Sequence, residues 1–251
     1  CWVPMKLFCF LALCLTVTLR ANDFNAIVLE QIQTMPSGGG YATTRAAHDA
    51  LLNSCATSSK GIRIQASHAA PSYCSGATYL VFLKTLLVLQ NRGTINIGAE
   101  AWKALLPERL ADGVGIWGRW NANGPGTARL FHELRLGPNF TSYDDAQPGD
   151  FMKIFWNNSI GKNERGHSVV FLGLEKMDGV DHVRFWSSNK PNGYGEKSVP
   201  KSKVARALFS RLEFPSNLNQ IATLPTRDKY LANMLHVDSS IEEVYKMTGS
   251  R

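Results

Sequence analysis

The sequence predicts an α+β fold in which helices come first along the chain and an antiparallel sheet follows. Residues 41–56 carry apolar side chains at helical spacing, and Tyr79–Leu89 is a strongly apolar run whose length suits a buried helix. From Pro148 onward, short apolar or aromatic runs alternate with turn residues, as in consecutive antiparallel strands. Separation of helices and strands along the chain is typical of α+β domains.

The remaining segments fit between these elements in order. Ser37–Gly40 is expected to be a flexible joint, Thr57–Ile64 a polar connection, and the glycine-rich segment Gly113–Gly126 a loop or an ordered insertion. Further helices are expected at Glu100–Leu110 and Thr127–Leu136. The predicted strands are Asp150–Trp156, His167–Leu174 and His182–Ser187.

Composition limits the class of protein and the kind of partner. The 251 residues are 44% hydrophobic and 19% charged, which is ordinary for a globular protein. The chain has 27 Lys and Arg residues against 20 Asp and Glu, and this modest basicity suits an acidic polymer such as a bacterial wall. The basic residues are scattered and no helix-turn-helix, zinc-finger or aromatic RNA-binding signature is present, so nucleic acid is not an expected partner.

The first 21 residues have the pattern of a secretory signal peptide. A basic start at Met5 and Lys6 precedes the apolar run Leu7–Leu19, and Ala21 ends a plausible cleavage site. The run is shorter than the roughly 20 apolar residues that span a bilayer, so no stable membrane insertion is expected after cleavage. We therefore expect a secreted or periplasmic protein.

Cysteine usage leaves two alternatives. Cys1, Cys9 and Cys14 precede the cleavage site, so only Cys55 and Cys74 belong to the processed chain. In an oxidising compartment these two could form one disulfide, which would make the protein a non-catalytic wall- or peptide-binding protein.

Cys74 is the candidate nucleophile of the other alternative. Pro71 and Ser72 precede it as helix-start residues, and the apolar helix follows, so its sulfur is expected at a helix N-terminus. The partial positive charge there and a nearby imidazole can together lower a thiol pKa by several units. The small residues Ser75 and Gly76 leave room for a substrate carbonyl to approach.

His167 is the best candidate base among the six histidines. It follows Gly166 and opens an apolar strand, so its ring would lie at a strand mouth on a rigid element. A third group should orient that ring through its other nitrogen. A period of two places Ser187 and Asn189 on one face of the next strand, and Asn189 is favoured because an amide oxygen fixes the tautomer without adding charge.

Three blocks of sequence resemble the signatures of NlpC-type cell-wall peptidases, in the same order. The blocks are Tyr73-Cys74-Ser75-Gly76, Gln147-Pro148-Gly149-Asp150-Phe151 and Gly166-His167-Ser168-Val169-Val170-Phe171-Leu172-Gly173. The resemblance implies a papain-like core in which the nucleophile helix packs on an antiparallel sheet. It also implies Cys and His catalysis and cleavage of a peptide or amide bond in bacterial peptidoglycan.

The resemblance sets the expected layout. The hydrolase domain, with an N-terminal helical extension, would occupy residues 22–214, and residues 215–251 would form a partly helical tail or appendage. The interval between the Cys74 helix and Pro148 is long for the family, which suggests a lid or groove wall around Trp117 and Trp120. Their rings are equally consistent with core residues and with platforms on which a sugar stacks. No Cys-x-x-Cys pair, His-Glu-x-x-His motif or phosphate-binding glycine loop is present, so no metal or cofactor is expected. The partner would be peptidoglycan or a wall-derived peptide, bound by a monomer.

Overall fold

The computed structural model describes residues 24–59 and 61–250, so the expected signal peptide lies outside the described residues. The described chain is a mixed α+β structure with several helices and an antiparallel sheet, as the sequence predicts at that level. The helices are α1 (Phe24–Gln33), α2 (Arg45–Asn53), α3 (Cys74–Asn91), α4 (Ala99–Ala104), α5 (Gly115–Trp120), α6 (Gly126–Leu134), α7 (Lys229–Asn233) and α8 (Ile241–Thr248). Short 3-10 helices lie at Ala66–His68, Lys201–Lys203 and Pro215–Thr223.

The other main part of the fold is a seven-stranded antiparallel sheet. Its strand order is β1-β8-β7-β6-β5-β9-β4, and the hairpin β2-β3 stands apart from it. Gly173 follows a bulge in β6, where it adopts a positive φ of 136°. The strands are β1 (Gly38–Gly39), β2 (Cys55–Ser58), β3 (Gly61–Ile64), β4 (Asn139–Phe140), β5 (Phe151–Phe155), β6 (Gly166–Met177), β7 (Val180–Asn189), β8 (Gly193–Pro200) and β9 (Arg206–Ser210).

Helix α3 is the centre of the main hydrophobic core. It is apolar around most of its circumference, with Leu80, Val81, Phe82 and Leu83 all inaccessible to solvent. A helix that is hydrophobic on all sides must be covered on all sides, and α3 lies between α1 and strands β6 and β7. The predicted buried helix after Cys74 is therefore confirmed, and its position on the sheet brings its N-terminus to the start of β6.

The Pro-Gly-Asp block before β5 joins the helical half of the fold to the sheet. Gly149 has a φ of 99°, and a Cβ at this position would lie 2.7 Å from the backbone oxygen of Asn25, so only glycine fits. Asp150 is completely buried and its carboxylate accepts hydrogen bonds from the Asn25 side chain at 2.8 Å and from the Gln147 backbone N–H at 2.8 Å. The Arg211 guanidinium adds two more, at 2.9 and 2.7 Å.

The expected insertion at Gly113–Gly126 contains the short helix α5, and its tryptophans are core residues. Trp117 and Trp120 are both buried, and Trp120 stacks on Phe82 with ring centroids 4.8 Å apart. The indole nitrogen of Trp120 donates to the Thr78 hydroxyl at 3.3 Å. The two rings are therefore not a platform for a sugar, although the residues that follow α5 do line a cavity described below.

Two other expectations differ from the structure near the N-terminus. The helix expected from residue 41 begins only at Arg45, where the Thr44 side chain accepts a hydrogen bond from the Ala47 backbone N–H and caps it. Tyr41 instead forms a parallel β-bridge with Ser72. The polar connection expected at 57–64 belongs largely to the hairpin β2-β3, because residues 55–58 pair with residues 61–64.

The C-terminal segment, expected to be an appendage, packs on the domain. Val244 of α8 is buried, and the Arg129 guanidinium donates to the Met247 backbone oxygen at 2.7 Å and to the Asp228 carboxylate at 2.8 Å. The sequence signal was weak because α8 buries only Val244 and Thr248. Among the described residues, no helix combines the length and the apolar composition needed to cross a membrane.

We predict that Asp150→Ala will lower the free energy of unfolding by about 3 kcal/mol, because it leaves a partly buried guanidinium and two further donors without their acceptor. Urea-induced unfolding of purified protein measures this loss. The matched control is Asp181→Ala, which removes a carboxylate that is 67% exposed and lies 4.0 Å from Lys176. The control should change stability by less than about 0.5 kcal/mol, and equal losses in the two variants would contradict the prediction.

Candidate active site

Cys74 is the first residue of α3, so its sulfur lies at the N-terminus of the most buried helix. Tyr73, the residue before it, has extended backbone geometry (φ −140°, ψ 163°) and forms no capping hydrogen bond through its side chain. The first backbone N–H groups of a helix have no intrahelical acceptor, and they carry the positive end of its dipole. The thiol therefore lies beside donors that can stabilise negative charge.

His167 is the second residue of β6, and aromatic rings hold its imidazole on two sides. The ring centroids of His167 and Phe185 are 5.7 Å apart in an edge-on arrangement, and those of His167 and Trp156 are 6.2 Å apart. Its Nε2 atom lies 3.0 Å from Oδ1 of Asn189. The side chain is thus fixed by packing and by a hydrogen bond, while its other nitrogen is left for Cys74.

The orientation of the Asn189 amide decides which nitrogen of His167 carries the proton. Its Nδ2 donates to the backbone oxygen of Gly195 at 2.8 Å and to that of Ser187 at 3.3 Å, so its Oδ1 must face the imidazole. An acceptor at that position requires the proton of the neutral ring to be on Nε2. Nδ1 is then the unprotonated nitrogen, and the hydrogen bond between His167 and Cys74 uses it.

Ser187 is placed differently from Asn189. Its hydroxyl donates to the backbone oxygen of Ser168 at 2.7 Å, and the side chain is completely buried between neighbouring strands. Ser187 therefore holds strands β6 and β7 together. The structure brings Cys74, His167 and Asn189 into one chain of hydrogen bonds, and it gives Ser187 no contact with an imidazole nitrogen.

The surroundings of Cys74 favour its thiolate. Burial raises the pKa of the Cys74 thiol, but hydrogen bonding to His167 and the positive charge of His167 outweigh it. The backbone N–H of Ser168 and the charge of Lys153 act in the same direction, and the resulting pKa is about 6. At neutral pH the sulfur is therefore mainly the reactive, ionised form.

Tyr41 belongs to the site, and sequence reasoning missed it by assigning it to a helix. Burial, the negative charge of Cys74 and a hydrogen bond with the Cys74 sulfur all raise the pKa of Tyr41. The phenol thus remains protonated and donates toward the sulfur. The sequence signal that could have found it is the glycine run before it, because Gly38, Gly39 and Gly40 all adopt positive φ and end the preceding segment before any helix starts.

A buried ion pair borders the nucleophile. The Lys153 ammonium lies 2.7 Å from Glu164 Oε1, and Oε2 of Glu164 accepts hydrogen bonds from the backbone N–H groups of Gly124 and Gly161. A Cβ at Gly166 would lie 2.7 Å from the Lys153 nitrogen and 2.6 Å from Glu164 Oε1. The glycine before His167 therefore provides the space that the pair occupies beside strand β6.

Two cavities meet at Tyr41, Arg165 and Gly166. The first has a volume of about 470 Å³, and its lining includes Cys74, Asp112 and Asn121. The second, about 350 Å³, is lined by His167 and Asn189 among others and does not include Cys74. Cys74 thus lines one of the two adjoining cavities and His167 lines the other. Asp112, just before the insertion, and Asn121, within it, both line the first cavity.

Cys55 and Cys74 are both free thiols in the structure, so the disulfide of the alternative interpretation is not formed there. Cys55 begins β2 opposite Ile64, and its sulfur lies 3.6 Å from the Ser54 hydroxyl. The sulfur of Cys74 instead interacts with His167. Burial raises the pKa of Cys55 to about 11, despite the hydrogen bond with Ser54.

The chain matches no protein-family model, no curated protein and no solved structure. Within residues 24–59 and 61–250, no group of three or more His, Cys, Asp or Glu side chains is arranged to hold a metal ion.

We predict that Cys74 will react with iodoacetamide with a midpoint near pH 6, because the thiolate is lost only as the pH falls through the pKa of about 6. The experiment uses Cys55→Ser protein without residues 1–21, so that one thiol remains, and measures alkylation rates by mass spectrometry from pH 4 to 10. In His167→Ala, burial dominates and the midpoint should rise above that of an ordinary thiol.

Matched measurements on Cys74→Ser protein provide the control for this titration. Its single thiol, Cys55, should react slowly and only at strongly alkaline pH, because burial raises its pKa to about 11. Unreduced, denatured protein with both cysteines should contain two titratable thiols. A midpoint of Cys74 alkylation that is unaffected by His167→Ala would contradict the assigned thiol–imidazole contact.

Proposed function

We propose that the protein is an exported cysteine hydrolase of the papain-like, NlpC-type class that cleaves a peptide or amide bond in bacterial cell-wall peptidoglycan. The observation that carries this proposal is the hydrogen-bonded series Cys74–His167–Asn189, in which a thiol of lowered pKa meets an imidazole of defined tautomer. A nucleophile, a base and a group that orients the base are the minimum set for this chemistry.

Acylation follows from the positions of these groups. The Cys74 thiolate attacks the carbonyl carbon, and the oxygen becomes an oxyanion near the N-terminus of α3 and the Tyr41 hydroxyl. His167, protonated on both nitrogens at this stage, gives the Nδ1 proton to the leaving nitrogen as the carbon–nitrogen bond breaks. Asn189 keeps its hydrogen bond to Nε2 throughout and so holds the ring in place.

Deacylation reverses the direction of proton transfer. Water enters where the amine has left, and Nδ1 of His167 takes its proton as the oxygen attacks the thioester carbon. The carbon–sulfur bond breaks, the acid product leaves, and Cys74 returns as the thiolate beside protonated His167. The lowered thiol pKa helps this step, because a more stable thiolate is a better leaving group.

Wall peptide is the proposed substrate because three independent sequence features agree with it. The three signature blocks occur in the order found in NlpC-type peptidases, the first 21 residues have the pattern of a signal peptide, and the chain is basic overall. Two adjoining cavities, one lined by Cys74 and the other by His167, supply space for the two parts of a peptide chain and so support this proposal.

We predict that protein lacking residues 1–21 will release soluble fragments from purified peptidoglycan. Several wall chemistries should be tested, and mass spectrometry of the fragments identifies the bond cleaved. Cys74→Ala should abolish release because it removes the nucleophile, whereas Cys55→Ser should retain it, because Cys55 is outside both cavities. Release that persists in Cys74→Ala, or none from any wall, would refute the proposed function.

We predict a graded series for the residues behind the nucleophile. His167→Ala should lose about 10²–10⁴-fold in kcat/KM because base and acid are removed together, and combination with Cys74→Ala should add little. Asn189→Ala should lose less, because water can take the place of the amide. Ser187→Ala should be mildest, because its hydroxyl bonds to a backbone oxygen and not to the ring.

Kinetic comparison of these variants with folded wild-type protein tests the series. Circular dichroism and thermal unfolding establish that each variant is folded before its rate is interpreted. Near-wild-type turnover in folded His167→Ala would remove the Cys–His pair from the mechanism. A larger loss in Ser187→Ala than in Asn189→Ala would mean that the wrong residue of β7 is assigned to orient the ring.

A further inference from the structure

The chemistry of amide cleavage assigns different parts of a substrate to the two cavities. The imidazole gives its proton to the leaving nitrogen, so the leaving fragment must lie on the His167 side of the scissile bond. The cavity of about 350 Å³ is lined by His167 and Asn189 but not by Cys74, and the larger cavity is lined by Cys74. The smaller cavity is therefore the space for the leaving fragment, if the proposed function holds.

Lys197 is directed into this cavity by strand register. It pairs with Phe185 across strands β7 and β8, and paired residues of antiparallel strands project from the same face of a sheet. Phe185 contacts the His167 ring edge-on at 5.7 Å. The neighbouring acid, Glu196, pairs with Trp186 and projects from the opposite face, where it cannot neutralise the ammonium.

Lys190 enters the same cavity from the turn between β7 and β8. It directly follows Asn189, and its ammonium lies 5.3 Å from the centroid of the Tyr41 ring, a cation–π distance. The Tyr41 hydroxyl interacts with the Cys74 sulfur, so this ring connects Lys190 to the reacting centre. The two lysines thus reach the cavity from different elements, one from a strand and one from a turn.

The charge of this cavity is unbalanced. Arg165 joins Lys190 and Lys197 in its lining, which contains no Asp or Glu. None of the three cations is in an ion pair with any carboxylate of residues 24–59 and 61–250. The larger cavity differs, because Asp112 and Glu164 line it together with Lys153 and Arg165. The field along the groove is therefore more positive on the leaving-group side.

We infer that Lys190 and Lys197 form a subsite for a carboxylate on the leaving fragment. The preferred substrate is then a peptide or amide whose departing amine belongs to an amino acid with a free carboxylate nearby. This inference deepens the proposed function by naming the chemistry of the leaving group. A carboxylate here gains charge-assisted hydrogen bonds from ammonium groups that otherwise face solvent. The positive electrostatic potential of these cations also attracts a carboxylate to the cavity.

The first experiment compares two matched peptides built around the bond identified by wall digestion. Their leaving residues end in a free carboxylate or in a carboxamide, and kcat/KM is measured for both. Wild-type protein should prefer the carboxylate, and Lys190→Met and Lys197→Met should each reduce this preference about fivefold at low ionic strength, as expected for loss of one partly screened ion pair. Lys197→Glu should reduce it further than Lys197→Met. Lys203→Met, an exposed lysine outside both cavities, is the matched control and should leave the preference unchanged.

The second experiment does not require hydrolysis. In Cys55→Ser protein, the ratio of Cys74 alkylation rates with anionic iodoacetate and neutral iodoacetamide reports the local field, and 20 mM salt keeps screening weak. The Lys190→Met, Lys197→Met double variant should lower this ratio, and Lys203→Met should not. An unchanged ratio together with an unchanged peptide preference would overturn the anionic subsite. A lowered ratio in protein that releases nothing from walls would support the subsite while refuting the proposed function.

Discussion

Burial of helix α3 against the sheet is the constraint on which the candidate site depends. The helix exposes almost no apolar side chain, so its axial and rotational positions are set by close packing against β6, β7 and α1. Because Cys74 is its first residue, that packing also sets the position of the sulfur relative to the start of β6. The Trp120 ring, from the insertion, packs against the rings of Tyr79 and Phe82 on this helix and supports it. A shift of α3 would therefore separate the thiol from His167.

The polar residues of the site have two roles: some would take part in the reaction, and others position those residues. In the proposed mechanism Cys74 attacks the substrate and His167 transfers the protons, whereas Asn189 is fixed by the backbone oxygens of Gly195 and Ser187 and keeps one ring nitrogen occupied. The Lys153 ammonium is paired with Glu164, and its positive charge still lowers the pKa of the Cys74 thiol. An ion pair beside a nucleophile thus supplies positive potential at the sulfur.

The two cavities differ in the charge of their lining residues, so the two ends of the groove are not equivalent. The protein pairs its acidic groups near Cys74 with backbone donors or a lysine, as for Glu164 and Asp112, whose carboxylate accepts a hydrogen bond from the Asn123 backbone N–H at 3.2 Å. On the His167 side, Arg165, Lys190 and Lys197 form no ion pair with a carboxylate of the described residues. Unpaired cations beside an apolar ring such as Phe185 are a recognition feature more than a stabilising one, because exposed ammonium groups add little to folding stability.

The sequence by itself determined the order of the main elements and singled out the residues that meet in the candidate site. Local signals were strong there: a long apolar run indicated α3, short apolar or aromatic runs separated by turn residues indicated β5, β6 and β7, and Pro71 and Ser72 marked the start of the Cys74 helix. The choice of Asn189 over Ser187 rested on amide chemistry, and the two residues do have different partners in the structure.

Tertiary structure alone decided which distant residues meet. Tyr41 reaches Cys74 because the glycine run directs the chain back along Ser72, and no local periodicity encodes that return. Trp117 and Trp120 became core residues because α3 offered an apolar surface for them, and α8 packed because Arg129 and Asn139 bind its last backbone oxygens. The unequal charge of the two cavities likewise depends on the register of β7 and β8, which places Lys197 and Glu196 on opposite faces of the sheet. Contacts between residues far apart in sequence follow from the packing of whole elements, and a local pattern carries no record of them.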